Sequence, residues 1–284
     1  MVTIRPLTTF DDCRRVALLE RDVWGYTDAE DIVPPAVLIV SIKRGGILLG
    51  AFDAAGEMKG FVYSIPGVKD GALTQWSHML GVTAEARNSG LGLRLKLAQR
   101  ERAIEMGVEL IEWTFDPLQV LNAHLNFARL GVVVEEYEEN IYGESSSPLH
   151  HGSPTDRFVA EWRLTAPHVE RRIAARGVGL VRDASLVSAP LVNRTAASGG
   201  RLVPRDANLS LTDRRLLVEI PGHYAELLAS DPALALEWRL AARAIFQHYL
   251  GHGYRVVDFF TAADHSRGHY LLSLPNPEPA EPGT

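Results

Sequence analysis

Residues 75–107 decide the fold of this chain, and they read QWSHMLGV (75–82), TAEA (83–86), RNSGLG (87–92) and LRLKLAQRERAIEMG (93–107). A period of two in the first segment predicts a strand, with one face formed by Trp76, His78, Leu80 and Val82. Apolar residues in the last segment recur at helical spacing among charged ones, which predicts an amphipathic helix that Gly107 ends. A glycine-rich turn therefore joins a strand to a helix.

The turn has the spacing Arg87-x-x-Gly90-x-Gly92. Glycines let a ligand approach the backbone closely, and N–H groups at a helix N-terminus favour an anion through hydrogen bonds and the helix dipole. No Gly-Lys-Ser/Thr follows, as a P-loop requires, and a charged residue stands where a dinucleotide-binding loop has a small one. The turn predicts a phosphate site of another kind; a purely structural turn is the alternative.

Composition and charge argue against several classes of protein. The 284 residues are 46% hydrophobic, which is ample for a buried core, and the formal net charge of −6 argues against a nucleic-acid partner. Cys13 is the only cysteine, so we expect no disulfide framework, in keeping with a reducing compartment. No signal-like apolar segment and no run of ~18 apolar residues is present, so we expect a cytoplasmic protein without a membrane partner.

The chain divides into three predicted segments. Residues 1–163 read as strand, two helices, hairpin, strand, glycine turn, helix, strand, helix and two strands. Residues 164–274 predict a second α/β unit, with a long helix that starts at Asp231-Pro232 and a strand pair near its end. Residues 275–284 are rich in Pro and Glu and are predicted to be disordered.

The element order and the Arg-x-x-Gly-x-Gly turn together resemble the GNAT acyl-CoA N-acyltransferases over residues 2–163. A second match is Asp116-Pro117 followed by Asn122 and by Arg129-Leu130-Gly131, which is similar to the asparagine-bearing helix of that family. The segments 140–143 and 155–158 look like one branch, the acyltransferases found beside N-acylamino-acid racemases. The resemblance implies an α+β fold, an α/β sandwich with a mixed, splayed central sheet. Residues 164–274 are then a C-terminal α/β extension, with a degenerate second GNAT-like half as one interpretation.

The resemblance also implies a donor site for acetyl-CoA or another short acyl-CoA such as succinyl-CoA. The pyrophosphate is expected on the turn, at Arg87, Asn88, Ser89, Gly90, Leu91, Gly92 and Leu93. The pantetheine arm is expected along the backbone of Leu80 and Val82, with Asn122 as a further contact. The expected reaction is direct transfer to a small amine, most simply an amino acid, because Cys13 lies far in sequence from the turn.

Two side chains are candidates for proton transfer. His78 stands four residues before Val82, where the family often has a carboxylate base, and imidazole titrates near neutral pH. The alternative for His78 is a packed sheet histidine. The family's usual thiol acid is a tyrosine at the position of Phe127, which cannot donate a proton, so Tyr142 is the candidate acid. Its alternative is a packed aromatic ring.

Asn126 and Arg157 are candidate acceptor contacts. Arginine binds a carboxylate through two parallel hydrogen bonds, which suits a succinyl group or a free amino acid. The alternative for Arg157 is a turn salt bridge with Asp156. Asn126 follows Asn122 by four residues, which predicts one shared helix face, and a solvated face is the alternative.

No metal is expected. Two histidine pairs have a spacing of four, His248 with His252 and His265 with His269, but no His-Glu-x-x-His is present, and surface histidines are the simpler interpretation. Two rival functions stay open: a regulator that binds acyl-CoA without catalysis, which Phe127 favours, and an interaction protein that binds no CoA. A homodimer is a further possibility.

Overall fold

The structure, a computed structural model, describes residues 2–143, 153–175, 188–262 and 264–275. Its first strands are β1 (Thr3–Pro6), β2 (Ile47–Phe52), β3 (Met58–Lys69), β4 (Ala72–Val82), β5 (Leu110–Phe115), β6 (Val133–Glu138) and β7 (Arg157–Arg163). The helices between them are α1 (Phe10–Trp24), α2 (Pro35–Lys43), α3 (Leu91–Glu105) and α4 (Val120–Ala123), which continues as a π-helical segment, His124–Leu130. This is the element order that the sequence predicts.

The rest of the chain adds strands and helices in alternation. They are α5 (Pro167–Ala174), β8 (Asn193–Ser198), β9 (Arg201–Ala207), β10 (Arg215–Pro221), α6 (Tyr224–Ser230), α7 (Pro232–Gly251), β11 (Arg255–Thr261) and β12 (Arg267–Ser273). Asp231 caps α7 by accepting the Leu234 N–H. The predicted long helix and strand pair of residues 164–274 include neither the hairpin of β8 and β9 nor α6. The predicted disordered tail lies, from residue 276 onward, outside the described residues.

One ten-stranded sheet runs through both parts, in the order β1-β2-β3-β4-β5-β7-β6-β11-β12-β10. Every neighbouring pair is antiparallel except β4 and β5, which are parallel. Parallel pairing follows from the crossover through α3, since a strand–helix–strand unit returns in the same direction. The mixed sheet predicted from the sequence is therefore confirmed.

The parallel pair is joined only near its start. Gln75 lies opposite Ile111 and Trp76 opposite Glu112, and the described residues beyond them form no further ladder between the two strands. The C-terminal ends of β4 and β5 thus diverge and leave backbone groups of β4 without a partner on that side. This is the splay that the resemblance implies, and it opens beside the turn that starts α3.

β4 also carries a bulge. Tyr63 pairs with Met79 and Ile65 with Trp76, so two residues of β4, Ser77 and His78, lie opposite the single Ser64 of β3. Strict alternation along 76–82 is therefore wrong. Ser77 and Leu80, three residues apart, both face α3, because Ser77 bonds side chains of that helix and Leu80 lies beside Gly92.

Two local features differ from what the sequence pattern predicts. Aspartate is a favoured N-cap residue, so Asp11 or Asp12 is the predicted cap of α1, but Thr9 is the cap. Its side chain accepts the Asp12 N–H while the Asp12 carboxylate accepts the Thr9 N–H, so that each satisfies a free backbone donor. One α-helix was expected over 118–130, but most of that range is π-helical, a rare geometry that recurs at functional sites. Periodicity alone does not distinguish the two helix types.

Aromatic side chains from both parts of the chain share one core. The Phe158 ring of β7 lies 4.6 Å from the Phe246 ring of α7 and 5.4 Å from the Tyr270 ring of β12, between ring centroids. Phe127 is fully buried and meets Tyr270 at 5.7 Å. The C-terminal elements therefore pack directly against the helix and strand that flank the splay.

Candidate active site

The turn before α3 exposes its backbone. Gly90 is the N-cap of α3 with φ of +79°, and no described side chain caps this helix N-terminus. The first N–H groups of a helix lack partners within the helix, so those of 91–93 face out of the turn. A Cβ built on Gly90 meets no atom within 4 Å, and one on Gly92 meets only Leu80, at 3.8 Å. Open space, free N–H groups and the helix dipole together suit a phosphate.

The side chains around the turn hold it in shape. The Ser89 hydroxyl donates to the Ala86 carbonyl at 2.7 Å, and Asn88 adopts a left-handed φ of +60°. The guanidinium of Arg87 donates to the Val23 carbonyl at the end of α1, at 3.3 Å, and its side chain is exposed. Arg87 thus stands at the turn as predicted, tied to α1 by one hydrogen bond. Leu91 is buried, so only its backbone can serve a ligand.

His78 lies at the open end of β4. Its side chain is solvent-exposed, and its ring meets the edge of the Tyr63 ring with centroids 6.1 Å apart. Desolvation by the surrounding protein lowers the pKa of His78 from its ordinary value. The imidazole is therefore largely neutral at pH 7, as a general base requires.

A buried cluster that the sequence analysis missed lies beneath the bulge. The Lys96 ammonium, on α3, donates to the Ser77 hydroxyl at 2.9 Å and to Gln99 Oε1 at 3.2 Å, and it lies 3.6 Å from the centre of the Trp113 ring. Lys96 is 2% exposed, and desolvation lowers its pKa well below the usual lysine value. The signal was available: Lys96 and Gln99 fall on the same helical stripe as buried Leu95 and Ala103.

Across the splay, two predicted residues come together. The Tyr142 hydroxyl and the Thr114 Oγ1 of β5 are 2.6 Å apart, and the Arg157 guanidinium lies over the Tyr142 ring at 5.6 Å. Trp76 and Glu112 form the last pair that joins β4 to β5. His78 lies two residues beyond Trp76 on β4, and Thr114 lies two residues beyond Glu112 on β5. Both therefore border the same open end. Tyr142 is 47% exposed, so its hydroxyl is accessible.

A further tyrosine borders this cluster. Burial raises the pKa of Tyr26, in the connection between α1 and α2, to about 12, with smaller electrostatic effects from Glu20, Arg157 and Tyr142 among others. Tyr26 stacks on Trp24 with centroids 6.1 Å apart. This neighbourhood cannot be read from the sequence, because only the fold brings the connection between α1 and α2 close to Arg157 and Tyr142.

The turn salt bridge considered for Arg157 is absent among the described residues. The Asp156 carboxylate instead accepts hydrogen bonds from Arg243 of α7, at 2.9 Å to each oxygen, and from the Tyr137 hydroxyl at 2.7 Å. Among the described residues, Arg157 donates only to the Asp156 backbone carbonyl, at 2.9 Å. The salt bridge with the Asp156 carboxylate is therefore wrong, and the other donors of the guanidinium have no hydrogen-bond acceptor in the described part of the chain.

The two predicted asparagines differ in environment. Asn122, on α4, is exposed, whereas Asn126, in the π-helical segment, is 3% exposed. The shared helix face expected for them is not formed, because the wider π-turn shifts the register. Phe127 packs edge to face against Phe115, with centroids 6.1 Å apart, and offers no proton donor.

The histidines of the C-terminal part are dispersed. The His248 and His252 rings lie 4.3 Å apart, while His269 bonds the Glu219 carboxylate at 3.0 Å. In the part of the chain that the structure describes, no three His, Cys, Asp or Glu side chains gather as a metal site requires. Within the described ranges, no helix has the length and apolar character to cross a bilayer.

Known structures of similar shape are GNAT-family acetyltransferases. One is a putative acetyltransferase of the GNAT family from Desulfovibrio desulfuricans, with 16% identity and a TM-score of 0.44, covering 58% of this chain and 99% of that one. The PaiA N-acetyltransferase of Thermoplasma acidophilum, in complex with coenzyme A, has 16% identity and a TM-score of 0.41, covering 57% and 99%. The ribosomal-protein-S18-alanine N-acetyltransferase of Escherichia coli has 16% identity and a TM-score of 0.46, covering 58% and 96%.

No protein-family model matches the chain, and no curated protein sequence matches it. At these levels of identity the structural likeness concerns the fold alone. The element order, the splayed parallel pair and the open turn define the chain as a protein of the GNAT fold, the fold class predicted from its sequence.

Proposed function

We propose that the chain is an acyl-CoA-dependent N-acyltransferase that acts on the amine of a small molecule, most simply an amino acid. The observation that carries the proposal is the uncapped, glycine-opened N-terminus of α3 beside the divergent ends of β4 and β5. A phosphate-binding helix end and an extended strand with free backbone groups are the two surfaces that a coenzyme A thioester needs side by side.

The donor would bind by its two ends. Its pyrophosphate would accept hydrogen bonds from the backbone of 88–93, with Arg87 adding a cation. Its pantetheine arm would extend along β4 at Leu80 and Val82, where β5 no longer pairs. Asn122, exposed at the start of the next helix, is a candidate contact to that arm. Acetyl-CoA and succinyl-CoA both fit this arrangement.

The acceptor would bind across the splay. Arg157 forms no ion pair with any described carboxylate, lies beside accessible Tyr142, and has donors to spare. Such a guanidinium suits the carboxylate of an amino acid, which it would hold while the amine faces His78. Asn126 is buried, so it would help to form the floor of this site and would not contact the acceptor from the solvent side.

The chemistry would be direct transfer in a ternary complex. Neutral His78 removes a proton from the ammonium, and the free amine attacks the thioester carbonyl carbon. The N–H of Met79 or Leu80 stabilises the oxyanion while the C–S bond breaks. The departing thiolate takes the hydroxyl proton of Tyr142, whose oxygen bonds Thr114. The attached nitrogen then loses its second proton to the Tyr142 oxygen, and His78 releases the first proton to solvent, so that a neutral amide, a free thiol and the starting forms of both side chains result. Phe127, buried in the place of the family's tyrosine, has no proton to give, so either Tyr142 supplies the proton or the thiolate leaves unassisted.

A transfer assay tests the proposal. The purified chain is mixed with acetyl-CoA or succinyl-CoA and with each common amino acid in both chiral forms, and thiol release is followed. We expect release with at least one amino acid and little with its carboxamide, which cannot pair with Arg157. Binding of CoA without transfer to any amine would instead support the non-catalytic regulator.

A further inference from the structure

A buried ion pair connects the C-terminal part of the chain to the edge of the acceptor site. Arg239 of α7, 2% exposed, donates to both oxygens of Asp116 at 2.7 Å each. Asp116 directly follows β5, and its Oδ1 also accepts the Leu118 N–H at 2.9 Å. The geometry is a bidentate arginine–carboxylate pair, the strongest form of side-chain ion pair.

Strand register places this aspartate next to Arg157. Thr114 lies opposite Val159 and Phe115 opposite Phe158 in the antiparallel pair of β5 and β7. One step further along, Asp116 comes opposite Arg157. Side chains directly opposite in such a pair have Cβ atoms about 5 Å apart. Asp116 and Arg157 are therefore cross-strand neighbours of opposite charge, and they attract each other electrostatically even though Arg239 makes the direct ion pair with Asp116.

We propose that α7 keeps the acceptor-site arginine free by capturing Asp116 with Arg239. This inference rests on the proposed function and assigns Arg239 as a positioning residue that acts through Asp116 and does not touch the substrate. The second aspartate near Arg157 is also paired with α7, because the Asp156 carboxylate accepts hydrogen bonds from Arg243. Both of these carboxylates, which attract Arg157 electrostatically, are thus already bound by one helix of the C-terminal part.

The consequence is a specificity for acceptors that carry a carboxylate. Asp116 and Asp156 still attract Arg157 electrostatically, but both carboxylates direct their hydrogen bonds to α7, so among the described residues the Arg157 guanidinium has no direct ion pair until a ligand supplies an anion. Burial opposes the ionisation of Asp116, but Arg239 holds its pKa below the usual value, so the pair stays charged at neutral pH. The role of residues 164–274 in the reaction would then be electrostatic: they set the charge of a site built from the first 163 residues.

Binding of two small probes tests this inference. N-acetylglycine carries the carboxylate and amide of a transfer product, and N-acetylglycinamide is its neutral counterpart. Their dissociation constants are measured with CoA present on the full chain, on Arg239→Met and on the double variant Asp116→Asn/Arg239→Met. We expect Arg239→Met to weaken N-acetylglycine by roughly tenfold or more, since Asp116 then pairs with Arg157. The double variant should bind it nearly as well as the wild type.

The controls separate positioning from folding. Arg239→Met leaves a buried carboxylate unpaired and risks unfolding, whereas the double variant removes both charges, a change that proteins often tolerate. Arg157→Met should lose N-acetylglycine binding in the wild-type and the double-variant background, and no variant should change binding of N-acetylglycinamide. Weak binding by the double variant, or tight binding by a folded Arg239→Met, would overturn the inference. Absence of N-acetylglycine binding by a wild type that is stabilised by CoA would overturn the inference too. In this binding experiment, absence of CoA binding would count against the proposed function itself.

Discussion

At the scale of single residues, His78 is the side chain whose removal should affect chemistry most directly. Replacing it with Gln removes a proton acceptor but keeps a polar group of similar size. We expect His78→Gln to lower kcat by about 100-fold or more and to leave the affinity for CoA unchanged. Steady-state kinetics with the best acceptor measure the first quantity, and calorimetry the second. An unchanged kcat would remove His78 from the mechanism.

The pH dependence of kcat/KM is a second test of the role of His78. Desolvation lowers its pKa from the ordinary value of 6.5, so the basic form persists at pH values where a free histidine is already protonated. The acid limb of log(kcat/KM) in the wild type should therefore have its midpoint below 6.5, and His78→Gln should lose that limb. A midpoint clearly above 6.5 would contradict the role of an uncharged imidazole.

The burial of Lys96 should make the free energy of unfolding depend on pH. Its pKa is far lower in the folded chain than in the unfolded one, so the unfolded state binds more protons and the free energy of unfolding rises with pH up to about 10.5. Lys96→Met keeps the volume, and Ser77 still bonds Gln99. We expect this variant to be more stable than the wild type at pH 7 by about 1 kcal/mol or more, with the difference shrinking toward pH 10. Urea unfolding at both pH values measures it, and a less stable variant at pH 7 would contradict the assignment.

Some of these residues could be predicted from the sequence and others not. His78, Tyr142 and Arg157 stood out because a family pattern assigns roles to positions along the chain. The Asp116–Arg239 pair joins residues 123 positions apart, and no local pattern indicates which arginine of a helix meets which aspartate. Burial of a charge depends on the tertiary packing around it, which the sequence does not state.

At the scale of elements, the connection between α1 and α2 depends on one buried carboxylate. Glu20 is 1% exposed and accepts the Val33 N–H through both oxygens, at 3.2 and 3.3 Å. Burial raises its pKa from 4.5 to about 7. The folded state thus binds more protons between these values, and the stabilising effect of the protonated form is lost as pH rises through 7.

The matching variant is Glu20→Gln, which still accepts the Val33 N–H but does not ionise. We expect similar free energies of unfolding for Glu20→Gln and wild type at pH 5, and an advantage for the variant of about 2 kcal/mol at pH 8. Thermal and urea unfolding at both pH values test this. An advantage that is equal at pH 5 and pH 8 would mean that the carboxyl does not titrate in this range.

Element types followed from periodicity, but departures from regularity did not. Strands, helices and the hairpin of β2 and β3 were predicted because alternating and helical patterns report which face is buried. The bulge at Ser77 and His78 and the π-turn of 124–130 each insert a residue into a regular element. One extra residue leaves the hydrophobic pattern nearly unchanged, and so the sequence does not reveal these two features, both of which border the site.

At the scale of the whole molecule, the boundary predicted at residue 163 stays a prediction, and the sheet bears on it. Val134 of β6 pairs with Val256 of β11, so the sheet passes from one part to the other. The Phe158 ring packs on side chains of α7 and β12. The local sequence pattern does not show which strands pair when they lie so far apart in sequence. It does show that both parts are built of helices and strands.

A truncation tests how far the parts depend on one another. A chain that ends after Arg163 would expose Phe127, Phe158 and the carboxylates of Asp116 and Asp156 that α7 covers. We expect it to be insoluble or molten, and to regain a cooperative thermal transition when residues 164–284 are co-expressed as a separate chain. A soluble truncated chain with a sharp transition would establish two independent domains.

The turn before α3 is the proposed binding site of coenzyme A. Thermal unfolding of the full chain with CoA, acetyl-CoA and succinyl-CoA tests it, with Gly90→Trp to fill the turn and Gly71→Trp as the matched control. Both glycines have φ near +78° and open space for a Cβ, but Gly71 lies at the opposite end of β4. Ligand at 100 times its dissociation constant should stabilise the wild type and Gly71→Trp by about 2.7 kcal/mol, several degrees, and leave Gly90→Trp unchanged. No stabilisation of the wild type by any of the three ligands, or equal stabilisation of Gly90→Trp, would contradict the placement of coenzyme A at this turn.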